Sequence, residues 1–449
     1  MHTRFNIVED NKLGDHTNLH GISVENKKLV DNTRTERIFI RTYKRRRVPT
    51  APHMSEDIVF EILVRLPVED LLRFQTVCKA WRAIITEPRF IRMHLQRSAS
   101  KNKKCFLIVP HTLDSIIEEE RWPSTFSNNI QFYQWQENNG TARLLLAKDF
   151  HKDFGSVYRM IHRHGLVLFP TNTKVYVINP AIRDVLVLPN GRRDILLPSR
   201  NYPQTIDFGL DPCTNKYKVA RFFYRAINII DQSCSMGMEV LTICGDGSDA
   251  SWRETLEDPP YPVHGFRVSA YFKGSLFWII GSYAIKQTST GLLRFHLEDE
   301  SFSLIPLPDS AFDDELVQIM EHGEKLYLAQ SQSPQHLLIW MFCDNRSHQW
   351  IQLYSFNILE PFNLHSATML HDGLYYRIGS KLFRCRTESG DVKVVACMNQ
   401  LRHGRETAAS IEDTSSWANV HTFNWMPYMQ SLVPVTMARC DKASHRLLQ

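Results

Sequence analysis

The hydrophobic pattern of this chain changes once, near Lys104, and that change limits the folds open to it. Between residues 54 and 95 the apolar residues recur with the 3.6-residue period of helices. From Lys104 onward they form short runs rich in Val, Ile, Leu and aromatic residues, separated by polar turns, which predicts strands. The sequence therefore predicts an α+β multidomain chain, with a small helical domain followed by a predominantly β domain.

Three short helices are predicted between residues 54 and 95. Ser55 is placed as the N-cap of the first helix, and Pro67 ends that helix and begins the second. The third starts near Cys78 and ends around Glu87, because Pro88 biases its predecessor away from helical geometry. A unit of about forty residues cannot bury an adequate core alone. Either the rest of the chain or a partner must cover its apolar surface.

Seventeen short strands are predicted after Lys104, with Asn-Gly, Asp-Gly and Asn-Pro pairs between them. Their bounds are Cys105–Val109, Ile130–Trp135, Leu144–Leu146, Gly165–Phe169, Val175–Asn179, Val185–Leu188, Lys218–Tyr224, Met238–Cys244, Val268–Phe272, Ser275–Ile280, Gly291–Leu297, Phe302–Ile305, Lys325–Ala329, Leu337–Phe342, Trp350–Tyr354, Gly373–Ile378 and Lys381–Arg386.

A loose hairpin repeat is visible among these strands. Tyr176–Pro189 and Leu293–Pro308 each read as strand, polar turn and strand closed by Leu-Pro. Met238–Trp252 and Ile339–Trp350 are variants closed by Trp. Recurring hairpins favour a degenerate β-propeller, and about six blades would fit the length at the usual 40 to 50 residues per blade. A sandwich pair or an irregular barrel remains the alternative.

The net charge of +5 lies entirely in the first 53 residues. They hold eleven Lys and Arg against six Asp and Glu, which leaves 42 of each sign in the rest of the chain. This basic leader is predicted to be disordered, and its run Lys44–Arg47 is a candidate nuclear import signal. Met54 is a possible second translation start, which would make the leader dispensable. The rest of the chain is charge-balanced, which argues against a nucleic-acid partner.

The nine cysteines are odd in number and scattered, with no Cys-x-x-Cys pair. This argues against a disulfide framework and a zinc site, and it favours a reducing compartment, the cytosol or the nucleus. The most apolar stretch, residues 268–285, carries Lys273 and several Gly and Ser residues, so no membrane span is expected.

The helical stretch resembles the F-box of plant proteins. The matching pieces are Ile62-Leu-Val-Arg-Leu-Pro67, Leu71-Leu-Arg-Phe74 and Val77-Cys-Lys-Ala-Trp-Arg82, with Pro88 and Phe90 behind them. The resemblance implies a substrate receptor of an SCF-type ubiquitin ligase, in which the F-box binds the Skp adaptor and through it the cullin. By the same resemblance, the adaptor-binding residues are Leu66, Pro67, Leu71, Leu72, Val77, Cys78, Trp81 and Ile85.

One position departs from the family pattern. F-boxes usually open with Leu-Pro or Ile-Pro, and this chain has Met54-Ser55 there. The missing proline removes a preset turn and an apolar contact, so the affinity for the adaptor is expected to be lower than in a consensus member.

The later strands resemble the F-box-associated domain of the same plant proteins. The matching pieces are Val177–Asp184, Phe208–Val219, Ser251–Glu254, Val268–Trp278 and Leu293–Pro308. Together with the charge pattern, this predicts four parts: a leader at residues 1–53, the F-box at 54–95, a kelch-like or galactose-oxidase-like β domain at 104–400, and a C-terminal segment at 401–449 that closes or packs on the β domain. An unidentified protein substrate would bind the β domain.

No catalytic motif stands out, and neither a catalytic residue nor a cofactor or metal is predicted. His162 and His164 could contribute to a metal site, but a surface pair is the preferred interpretation. The acidic run Glu118–Arg121 is interpreted as a solvated loop or helix face rather than paired catalytic acids. Four tryptophans could line a ligand cleft, although core or inter-blade packing is preferred: Trp252, Trp278, Trp340 and Trp350.

Two functions from different classes follow. The leading hypothesis is a non-catalytic receptor that holds a target near the ubiquitin-charged enzyme, a mechanism of effective concentration. The alternative is an enzyme or glycan-binding propeller of the kelch and galactose-oxidase type with a helical cap.

Overall fold

The computed structural model describes residues 54–100, 104–113, 126–137, 140–150, 159–171, 174–191, 205–228, 233–243, 251–263, 268–281, 291–308, 317–344, 349–358, 367–406, 411–417 and 420–436. Three of the predicted features lie outside these ranges: the basic leader at 1–53, its run Lys44–Arg47, and the acidic run Glu118–Arg121.

Four helices, rather than the predicted three, follow residue 54: α1 Glu56–Leu63, α2 Val68–Phe74, α3 Lys79–Thr86 and α4 Pro88–Ser100. Pro88 explains the difference. It holds Glu87 in an extended conformation, with ψ at 132°, which ends α3. As the first residue of α4 it loses nothing, because the N–H at that position has no intrahelical partner.

The chain divides into two compact units, the second beginning at Leu63. The described part of the first unit is residues 54–62, which form most of α1. The Ser55 carbonyl accepts hydrogen bonds from the amides of Ile58 and Val59, both 3.1 Å long, as expected of a helix start. The side chains of Ile58 and Ile62 remain 52% and 45% exposed.

In the second unit, α2 to α4 precede 26 described strands arranged in six sheets. Five consecutive sheets have four antiparallel strands each, with these bounds: β4 Ile161–Arg163, β5 Leu166–Pro170, β6 Val175–Asn179, β7 Asp184–Val187; β8 Ile206–Leu210, β9 Tyr217–Asn228, β10 Ser233–Ile243, β11 Arg253–Glu254; β12 Ala270–Phe272, β13 Ser275–Ile279, β14 Gly291–His296, β15 Phe302–Pro306; β16 Val317–His322, β17 Lys325–Ser333, β18 His336–Cys343, β19 Gln349–Asn357; and β20 Thr368–Leu370, β21 Gly373–Ile378, β22 Lys381–Arg386, β23 Val392–Cys397.

The sixth sheet joins the two ends of the β domain. Its strands are β1 Cys105–Thr112, β2 Asn129–Gln136, β3 Thr141–Asp149, β24 Arg402–Glu406, β25 Ile411–Ser416 and β26 Val420–Pro427, in the order β25-β24-β3-β2-β1-β26. The last strand pairs antiparallel with the first, with Ile108 opposite Trp425. Closure by the C-terminal strand completes a six-bladed β-propeller, which confirms the predicted fold class and blade number.

Most of the strands that the sequence did not predict lie at the centre of the ring. They include four inner strands of the four-stranded blades, β4, β8, β16 and β20, together with β26. These strands are short or carry polar residues, such as His162 and Arg163 in β4 and Glu321 and His322 in β16. An inner strand borders a central channel and can keep polar side chains, so its apolar pattern is weak.

The four tryptophans pack within and between blades, as preferred from the sequence. Trp278 is 2% exposed, and its ring lies edge-on against Phe222 of the preceding blade, with centroids 4.9 Å apart. Trp252 donates a hydrogen bond of 2.7 Å to the Pro189 carbonyl, which belongs to the blade before its own. Apolar clusters of this kind fill the space between neighbouring blades.

Candidate functional site

The turn between α2 and α3 presents apolar side chains to solvent. Val77 at the centre of this turn is 62% exposed. Cys78 is the N-cap of α3, and its Sγ accepts a hydrogen bond of 3.4 Å from the amide of Trp81. The Trp81 ring lies edge-on against Phe74, with centroids 5.2 Å apart. The turn is therefore an ordered apolar surface on which a partner could bind.

The structure places the eight predicted adaptor-binding residues in three classes. Leu71 and Ile85 are buried, with 0% and 1% of their surface exposed, and they hold the helices together. The remaining six are accessible to differing degrees: Leu66, Leu72 and Trp81 are partly buried, and Pro67, Val77 and Cys78 are exposed. The part of the set that a partner can reach without rearrangement is centred on Val77, Cys78 and Trp81.

Leu66 and Pro67 lie at a different part of the surface from Val77. The Leu66 carbonyl is 2.9 Å from His94 Nε2 of α4, which ties the segment before α2 to the last helix. Both residues, together with Val68 and Glu69, border a cavity enclosed by the ring of blades, here termed the central cavity. Two of the eight predicted residues therefore border the central cavity, and two others, Leu71 and Ile85, are buried.

The central cavity has a volume of about 2380 Å³ and is bordered by α4 and by inner strands of the blades. Several charged groups at its wall are paired. Arg163 Nη2 lies 3.4 Å from Asp207 Oδ2, and Lys104 Nζ lies 2.6 Å from Asp372 Oδ2. Arg163 and Lys104, two cations at the wall, are thus each paired with a carboxylate.

His162 and His164 are not the surface pair that the sequence favoured. They lie on and just after β4 and line the central cavity. Burial, and then the charge of Arg163, lower the pKa of His162 to about 3 and that of His164 to about 4. His162 Nε2 accepts a hydrogen bond of 3.0 Å from the Gly165 amide, and His164 Nδ1 lies 3.1 Å from the Tyr217 hydroxyl. Both imidazoles are neutral parts of the wall at neutral pH.

Within the described ranges, no group of three or more His, Cys, Asp or Glu side chains is arranged to hold a metal ion. Among the same residues, no helix has the length and apolar character needed to cross a membrane.

Two family models match the chain. One, described as the F-box associated beta propeller domain, covers residues 118–373, and the other, described as the F-box domain, covers residues 52–93. The first alone spans more than half of the 449 residues. The chain belongs to the F-box proteins with an F-box-associated propeller. Its predicted family is therefore confirmed.

Relatives of this F-box protein occur in Arabidopsis thaliana. A sequence named there as an F-box protein is 26% identical over 319 residues, which cover 69% of this chain and 74% of the relative. An F-box/LRR-repeat protein from the same plant is 23% identical over 327 residues, 69% of each chain. Among solved structures, the Aleuria aurantia lectin with α-methyl-L-fucoside aligns over 61% of this chain and 90% of the lectin, at 10% identity and a TM-score of 0.37.

Two sequence pieces that resemble the F-box-associated domain have structural roles in the propeller. In Val177–Asp184, Asn179 Nδ2 donates to the carbonyls of Ser431 and Val433 at 3.0 and 2.8 Å. Asp184 Oδ2 accepts from the amides of Val435 and Thr436, both at 2.8 Å. These two side chains hold residues 428–436, here termed the C-terminal strap, against the blade β4–β7. Sequence reasoning identified the piece but not its partner, since the contact spans about 250 positions.

The second piece, Phe208–Val219, supplies a buried ion-pair network between blades. Lys218 Nζ lies 3.0 Å from both Asp211 Oδ2 and Glu300 Oε1, and it also donates to the Leu297 carbonyl. Glu300 in turn pairs with Arg253. Since Leu297 and Glu300 belong to the next blade, the motif joins two blades of the F-box protein's propeller.

Proposed function

We propose that this chain is the substrate-recognition subunit of an SCF-type ubiquitin ligase. The F-box binds a Skp-type adaptor and through it the cullin, and the propeller binds a protein substrate that is then ubiquitinated. The observation that carries the proposal is the apolar turn around Val77, which is 62% exposed and backed by the contact between Trp81 and Phe74.

The family membership supports a receptor without chemistry of its own. Members are typically non-catalytic, and the ligase partners carry out the ubiquitin transfer. What such a subunit contributes is proximity, because a target held near the charged enzyme reacts at a high effective concentration. A reducing compartment, the cytosol or the nucleus, is the expected location, and none of the six cysteines whose side chains are described forms a disulfide.

Capture of a purified Skp-type adaptor tests the proposal. The full chain is compared with the double variant Val77→Asp plus Trp81→Ala, which places a charge in the apolar turn and removes its aromatic support. A matched control is Val394→Asp, the same substitution at a valine of β23 that is 42% exposed. The wild type and the control should capture the adaptor, and the double variant should lose most of that capture, since a buried unpaired charge costs several kcal/mol.

Two results would count against the assignment. Absence of adaptor capture by the wild type would remove the proposed function altogether. Equal capture by the double variant and the control would show that the adaptor binds elsewhere on the chain. A circular dichroism spectrum of each variant establishes that the F-box is still folded.

A further inference from the structure

Four polar side chains meet where α2 faces the propeller: Glu69, Gln134, Arg143 and Gln430, here termed the junction cluster. Glu69 Oε1 accepts hydrogen bonds from Arg143 Nη2 and from Gln430 Nε2, the latter 2.8 Å long. Gln134 Oε1 accepts from the same two nitrogens, at 2.8 and 2.7 Å. Two acceptors and two donors thus form a closed ring of four hydrogen bonds.

The junction cluster joins three separate parts of the chain. Glu69 lies in the first turn of α2, Gln134 and Arg143 lie on β2 and β3, and Gln430 lies in the C-terminal strap. The strap is itself fixed on both sides of Gln430. Before it, the Tyr428 amide donates a hydrogen bond of 2.8 Å to the Cys105 carbonyl. After it, the carbonyls of Ser431 and Val433 accept hydrogen bonds from Asn179. Glu69 is therefore the point at which the F-box meets two immobilised parts of the propeller.

The strap also lies very close to the blade below it. A Cβ atom on Gly165, whose φ is +85°, would be 2.3 Å from Ser431 Oγ. This close approach leaves the strap little room to move. Gln430, one residue earlier, is consequently a fixed partner for Glu69 rather than a mobile one.

A second contact attaches a different helix of the F-box. Ile91 and Leu95 of α4 pack against the apolar cluster shared by the blades β4–β7 and β8–β11. Contact along α4 alone would leave the F-box free to pivot about that helix. The junction cluster holds α2 at a separate point, and two points of attachment on two helices define an orientation.

The charge on Glu69 suits this role. Burial would raise the pKa of Glu69, but the hydrogen bonds from Arg143 and Gln430 hold it below its usual value. The side chains of Glu69 and Arg143 remain 37% and 29% exposed, so the pair adds little to global stability. Its main effect is geometric, because charge-assisted hydrogen bonds fix direction as well as distance.

We propose that Glu69 is a positioning residue: through the junction cluster it fixes helices α2 to α4 on the propeller, so that adaptor and target are held in a set orientation. The benefit of a fixed orientation rests on the proposed function, because the lysines of a bound target must reach the ubiquitin-charged enzyme. The fixed orientation itself is a property of this chain alone and can be measured without any partner.

The test measures the distance between spin labels attached to non-natural amino acids at Arg82 on α3 and Lys393 on β23, by double electron–electron resonance on the full chain. Glu69→Ala and Arg143→Ala should each broaden the distance distribution, roughly doubling its width. Asp70→Ala is the matched control, because this neighbouring acid of α2 lies outside the junction cluster and its Oδ1 is 3.5 Å from Arg73 Nη1. Glu69→Gln keeps an acceptor oxygen and should retain the narrow distribution.

The inference is overturned if Glu69→Ala gives the same narrow distribution as the wild type, or if Asp70→Ala broadens it equally. Thermal unfolding of each variant separates loss of orientation from loss of folding. Adaptor capture by Glu69→Ala should stay at the wild-type level, because the Val77 turn is untouched. A wild type that captures no adaptor but shows the expected distances would defeat the proposed function and leave the positioning role standing.

Discussion

Trp350 Nε1 donates a hydrogen bond of 2.9 Å to the carbonyl oxygen of Pro306, and the two residues belong to neighbouring blades. Trp252 and Pro189 form the same contact two blades earlier. In both pairs the Trp that closes one repeat donates to a proline carbonyl near the end of the repeat before it: Pro189 belongs to a Leu-Pro ending, and Pro306 directly precedes one.

Replacing Trp350 by Phe should lower the free energy of unfolding by about 1 to 2 kcal/mol, since a hydrogen bond and part of an aromatic contact are lost. Trp252→Phe should have a similar effect. The two changes lie in different blades and should add in the double variant. Urea unfolding measures all three, and a Trp350→Phe protein as stable as the wild type would contradict a stabilising role for the bond.

Lys218→Met should lower the free energy of unfolding by about 3 to 5 kcal/mol, because Asp211 and Glu300 would lose a buried counter-charge. Lys381→Met is the control, as Lys381 is exposed on β22 and its replacement should change stability by no more than about 0.5 kcal/mol. Thermal or urea unfolding distinguishes the two variants. Equal stability would mean that the inter-blade network is not stabilising.

Comparing Gly165→Ala with Gly390→Ala separates two causes of lost stability: a positive φ that alanine disfavours, and a collision of the added Cβ with a neighbouring atom. Both glycines have positive φ, +85° and +72°, so alanine should cost about 1 to 2 kcal/mol at either site. At Gly390 no atom lies within 4 Å of the added Cβ, whereas at Gly165 the Cβ would collide with Ser431. The Gly165 variant should therefore be clearly the less stable by urea unfolding, and the reverse order would show that the strap moves away.

The buried imidazole of His111 should make the stability of the protein depend on pH. Burial, and then the nearby His421, lower its pKa to about 3, and Asn424 Nδ2 lies 2.9 Å from its Nε2. Below about pH 6.5 the unfolded chain binds a proton that the folded chain does not, so the free energy of unfolding falls by up to about 1.4 kcal/mol per pH unit until the folded pKa is reached.

Urea unfolding near pH 7, 6 and 5 tests this dependence. The wild type should lose stability more steeply with falling pH than His111→Gln, which has no imidazole at that position. Identical slopes for the two proteins would show that His111 is protonated in the folded state as readily as in the unfolded one.

Much of the fold could be predicted from the sequence because it rests on local patterns. The helical period before Lys104, the prolines at 67 and 88, and the strand runs of the middle and outer blade positions all depend on residues near one another in the chain. The sequence predicts no fourth helix because a proline after a helix is a common end signal, but Pro88 also begins α4.

The accessibility of the predicted adaptor-binding residues could not be predicted from the sequence, since a family motif does not state which face each residue takes. Leu71 and Ile85 belong to the motif as much as Val77 does, yet they are buried and Val77 is exposed. Burial depends on how the helices pack, which involves residues far away in the sequence.

The sequence alone determined the order of domains, the F-box with its propeller and the approximate number of blades, because periodicity and motif order are properties of short segments. Only the tertiary structure decided which strands line the channel, that β26 closes the ring, and that Glu69 meets Gln430 across 361 positions. Such pairings carry no local signal. They arise when the ring closes and brings the C-terminal strap beside the F-box.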